Sequence, residues 1–114
     1  VDTAMRQAAI DLLTYIQKTD LPSRQEWERL PAAAKAFLME VYDSGIWDPD
    51  FFAKRQKLES ADIGKMPLSD VYTYFTAIIA TERTFSGFYE QKAYDGTLEK
   101  LLVRYLELTK EENS

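Results

Sequence analysis

Between Ser69 and Phe85 the chain carries its longest apolar-rich helical run, and this stretch limits the choice of fold more than any other. At about 100° per residue, Val71, Tyr74, Phe75, Ile78, Glu82 and Phe85 fall on one face, with Tyr72 and Ile79 at its flank. The opposite face holds Thr73, Thr76, Ala77, Ala80 and Thr84, with no long charged side chain among them. A helix that is apolar on one side and small on the other can be packed on both. The expectation is therefore a central helix at about 69–85, covered by the other segments. The β-branched and aromatic residues also permit a strand, but the run is too long and lacks strict alternation.

The ends of this run carry stop signals. Ser69 suits an N-cap, Asp70 suits the positive end of the helix dipole, and Pro67 precedes them. Ser86-Gly87 closes the helix, with Gly87 suited to a left-handed position. Phe88 to Tyr94 reads as a short helix or irregular turn, and Asp95-Gly96-Thr97 as a break with Asp95 or Thr97 capping the next helix. Glu82 is the anomaly, a carboxylate inside an apolar stripe that must be hydrogen-bonded, paired or neutral. The plainer reading has it reach water or a capping group near the helix end; the sharper one makes it a buried ion pair. Its neighbour Arg83 points about 100° away and is expected to reach Asp95 or another element.

The rest of the chain supplies smaller amphipathic helices. Asp2 or Thr3 can cap a first helix to about Lys18, with Met5, Ala9, Leu12, Leu13 and Ile16 as its stripe. Ser23 to Glu26 fits a capping box opening a short helix with Trp27 and Leu30, and Pro31 ends it or opens the next. Pro31 to about Ser44 forms a third helix with Ala34, Phe37, Leu38 and Val41 inward and Gly45 as its stop. Asp48 and Pro49 are expected at the N-cap and first position of a fourth helix carrying Phe51, Phe52 and Leu58. Ser60 to Leu68 is the longest loop, and a last helix runs from Thr97 to about Glu111 on Leu98, Leu101, Leu102, Tyr105 and Leu108. Five or six helices with short connections imply an all-α bundle, a single domain over residues 1–114.

Composition removes several function classes. With no Cys, disulfides and thiolate chemistry are excluded, which fits a reducing compartment. With no His, the commonest general base and metal ligand is missing. A net charge of −5 makes phosphate backbones poor partners, so nucleic acid is unlikely. No run reaches transmembrane length and no basic-then-apolar signal segment is present, so no membrane role is expected. The first residue is Val1 rather than Met, so the native N-terminus need not be complete.

Chemistry-bearing patterns are few. Gly45, Gly64, Gly87 and Gly96 are isolated, so no phosphate-cradling loop can be drawn. Asp43, Asp48 and Asp50 lack the spacing of a calcium loop and suit capping and turn roles. Glu82 and Asp95 are the one carboxylate pair to inspect for acid–base work, against the simpler reading of a satisfied Glu and a cap. Lys54, Arg55 and Lys57 form a short basic cluster, read first as a solvated face. Trp47, Phe51 and Phe52 are a denser signal: three aromatics around a turn either seal the core or anchor a partner. No cofactor or metal is implied.

The order of features from about Phe37 to Lys110 resembles a bacterial family of small proteins that is itself a domain of unknown function. The shared elements are Tyr42-Asp43-Ser44-Gly45, Thr76-Ala77-Ile78-Ile79, Glu82-Arg83, Gly87 and, after seven residues, Asp95-Gly96-Thr97. The chain departs from the family pattern at Ala80, Thr84 and Ser86, where members carry Arg, Phe and Glu. The resemblance implies the helical fold and a cytoplasmic bacterial origin; the family has no established activity, so it adds nothing on mechanism.

The leading expectation is a non-enzymatic helical module that contacts another protein or itself, with Trp47, Phe51 and Phe52 as its anchor. A second is a binder of a small polar or anionic ligand, or a weak acid–base enzyme, using Glu82, Arg83, Tyr74 and Asp95. A third is nucleic-acid binding through Lys54, Arg55 and Lys57.

Overall fold

The computed structural model describes residues 3–18, 32–43 and 48–110. Every regular element among them is helical: α1 (Thr3–Lys18), α2 (Ala32–Asp43), α3 (Phe51–Glu59), a one-turn 3-10 helix (Ile63–Lys65), α4 (Leu68–Thr84), α5 (Phe88–Tyr94) and α6 (Thr97–Thr109). The short helix expected at Ser23–Leu30 lies outside the described residues, as do Trp47, Gly45 and Glu111. No helix among the described residues is long and apolar enough to cross a membrane.

The run expected to be central is central. Helix α4 touches α2, α3, α5 and α6, while α1 packs chiefly on α2 and α6. Val71 and all of Thr73 to Ile79 are buried, so both faces of the helix are covered. Four threonines cost this helix roughly 2 kcal/mol against better helix formers. Burying Val71, Tyr74, Phe75, Ile78 and Ile79 returns roughly 1.5–3 kcal/mol each, so packing decides. The Phe75 ring meets Phe37 of α2 edge-on at 5.0 Å and Tyr105 of α6 at 6.0 Å.

The second face can be buried because its hydroxyls find partners. The Thr76 hydroxyl donates to the Tyr72 carbonyl at 2.9 Å and accepts the Asp48 amide at 3.2 Å. The Thr73 hydroxyl lies 2.7 Å from Asp48 Oδ2 and 3.0 Å from the Ser69 carbonyl. Both are internally satisfied, so their burial carries no orphan-polar penalty.

Several local expectations are corrected. Helix α4 starts at Leu68 with Pro67, not Ser69, at the cap position, because the Pro67 carbonyl already accepts the Asp70 and Val71 amides. Helix α3 starts at Phe51 with Asp50 at its cap position; Asp48 instead accepts the Asp50 amide at 2.8 Å, closing a turn ahead of the helix. Phe85, expected in the buried stripe, is 67% exposed, because α4 ends at Thr84 and Phe85 turns out of register at φ −123°, ψ 92°.

The long loop before α4 is held by side chains. Asp62 accepts the Gly64 amide at 3.0 Å, and Arg104 Nε of α6 donates to the Met66 carbonyl at 2.8 Å. Across the bundle, Arg6 of α1 donates to the Leu106 carbonyl at 3.2 Å and to the Thr109 hydroxyl, tying the first described helix to the last.

Candidate functional site

The last turns of α4 and the segment after it hold most of the singled-out residues. Glu82 resolves toward the plainer reading. Its Oε1 accepts the amides of Gly87 and Tyr89, both at 2.9 Å, placing the carboxylate at the start of α5. The free amides and positive dipole end of a helix are where a carboxylate is best stabilised. The chain can fold back onto its own Glu82 because Gly87 takes a left-handed conformation, φ 98°, which a side chain would oppose. Tyr89, set by this cap, is buried and donates from its hydroxyl to the Ala34 carbonyl at 3.2 Å, joining α5 to α2. Burial pushes its phenol well above the usual range, and the Glu82 charge adds to this.

Arg83 reaches another element: its guanidinium stacks 5.4 Å from the Tyr42 ring of α2. Asp95 accepts the Thr97 amide at 2.8 Å and pairs with Lys92 at 3.7 Å, a turn-and-cap role. Tyr74 is buried beside a crevice shared with Arg55, Glu59, Phe88 and Lys92, whose open volume of about 10 Å³ leaves room for one water at most. Burial raises the Tyr74 phenol, with the Glu59 and Asp95 charges adding and Arg55 opposing. Thus Glu82, Arg83 and Asp95 each have their own partners, and the crevice beside Tyr74 is lined by none of these three. A ligand site on these four draws no support from their positions.

The basic cluster is answered locally. Lys54 Nζ sits 2.9 Å from Asp48 Oδ2, and Arg55 Nε sits 3.1 Å from Glu59 Oε1. The Phe88 ring lies 5.9 Å from the Arg55 guanidinium and 5.3 Å from the Lys92 ammonium. Two of the three cations of the cluster thus stand beside carboxylates. Asp48 is the most constrained acid of this region. The Thr73 hydroxyl first, then Lys54 and the Asp50 amide, hold its carboxyl down at about 2. Lys54 is correspondingly raised by its bond to Asp48. Among the described residues no three acidic side chains are grouped closely enough to hold a metal ion.

One open surface near these residues is largely apolar. Phe51, Phe52 and Arg55 of α3 and Ala80, Thr81, Thr84 and Phe85 at the end of α4 line a groove of about 190 Å³. The small side chains of α4 leave space that the phenyl rings flank. Phe52 is 76% exposed and Phe85 67%, while Phe51 is half-buried. Of the expected aromatic anchors, Phe51 and Phe52 therefore lie here. Phe85, Ala80 and Thr84 complete the surface although helical periodicity assigned them to packed faces. For Phe85 the available signal is the Ser86-Gly87 stop, which puts it at the end of the helix, where its backbone leaves the helical conformation.

A wider open cleft of about 610 Å³ lies between the 3-10 helix and α6, lined by Asp62, Ile63, Lys100, Val103, Arg104 and Glu107 among others. Arg104 is already committed there to the Met66 carbonyl and, at 3.8 Å, to Glu107. No family model, curated protein or solved structure matches this chain, and the family resemblance rests on its motif residues alone.

Proposed function

We propose that the protein is a helical interaction module that offers the groove between α3 and the end of α4 to another protein. The observation that carries this reading is a pair of large aromatic side chains, Phe52 and Phe85, left mostly in water on either side of a shallow apolar groove. Scattered exposed apolar residues need no explanation, but adjacent aromatics around a concavity form the kind of surface that anchors a partner. At about 190 Å³ the groove is below the 300–1,000 Å³ range typical of small-molecule sites and suits a single protruding side chain. The absence of His and Cys from the sequence removes the usual nucleophile–base sets and so weighs against an enzyme.

The test compares the wild type with a Phe52→Ser/Phe85→Ser double variant in sedimentation and affinity capture, after unfolding curves show equal stability. The reading expects self-association or a retained partner with the wild type and its loss with the double variant. Monomers in both cases, with identical captured proteins, would remove it.

A further inference from the structure

No further inference is drawn: the strongest candidate outside the groove, the open cleft between the 3-10 helix and α6, is lined by charged side chains that are exposed or already engaged, Arg104 with the Met66 carbonyl and Glu107, and no buried polar side chain there points to a ligand.

Discussion

From Val71 to Ile79 every side chain of α4 except that of Tyr72 is buried, whereas from Ala80 to Phe85 none is. The two parts belong to one helix and share threonines, alanines and aromatics, so intrinsic preference does not separate them. Coverage does. The first part is enclosed by α2, α3 and α6, and its polar atoms are closed off by Asp48 and by the helix's own carbonyls. The second part carries Glu82 and Arg83, whose charges need water or dedicated partners, and it ends where the backbone leaves the helix. Surroundings, more than composition, turn the same residue type into core in one half and open surface in the other.

The sharpest way to break this contrast is to truncate one phenylalanine in each half. Phe75→Ala should cost about 3–5 kcal/mol in urea unfolding, because its ring is buried between Phe37 and Tyr105. Phe85→Ala should stay within about 0.5 kcal/mol of wild type. Equal losses would erase the distinction.

The buried half is readable in the sequence, whereas the same reading expects Ala80, Thr84 and Phe85 to be packed with it. Val71, Tyr74, Phe75 and Ile78 share a face by periodicity, and the lack of long charged side chains on the other face announces a helix covered twice. The capping role of Glu82 is also legible as the plainer of two readings, although its partner amides at Gly87 and Tyr89 are not. Phe85 is misplaced by periodicity for a physical reason: its amide still donates to the Thr81 carbonyl at 2.7 Å, but its own φ of −123° and ψ of 92° have left the helix, so the pattern runs one residue past the last helical position. The pairing of Phe52 with Phe85 across a groove is out of reach, since it depends on how α3 docks on α4, and no local pattern records that.

The polar closure of the buried half offers a second handle. Asp48 has a depressed folded value, about 2 against 3.8, so its stabilisation is complete above pH 4 and is lost as pH falls toward 2. Asp48→Asn should therefore cost about 1–2 kcal/mol at pH 6, with the gap to wild type shrinking steadily between pH 4 and pH 2 in denaturant titrations. A gap unchanged down to pH 2 would mean that the carboxylate charge is not what holds this turn to α4.

In the exposed half, Glu82→Ala should cost about 1 kcal/mol by removing the cap of α5, with Glu82→Gln retaining part of it as an acceptor. Gly87→Ala should cost a similar ~1 kcal/mol through the left-handed backbone alone, since a methyl group there meets no neighbour. Thermal melts of the three variants would check both figures. A neutral Glu82→Ala would show that α5 holds its place without the carboxylate.

Residue-resolved amide hydrogen exchange under native conditions tests the central claim most directly, because it reads enclosure along α4 one position at a time. The amides from Thr73 to Ile79 should exchange only through global unfolding, with opening free energies equal to that from denaturant titration. Those from Thr84 to Phe88 should exchange faster through local opening. Protection in the first stretch no higher than in the second would contradict the account of a fully packed rod that ends in an uncovered aromatic groove.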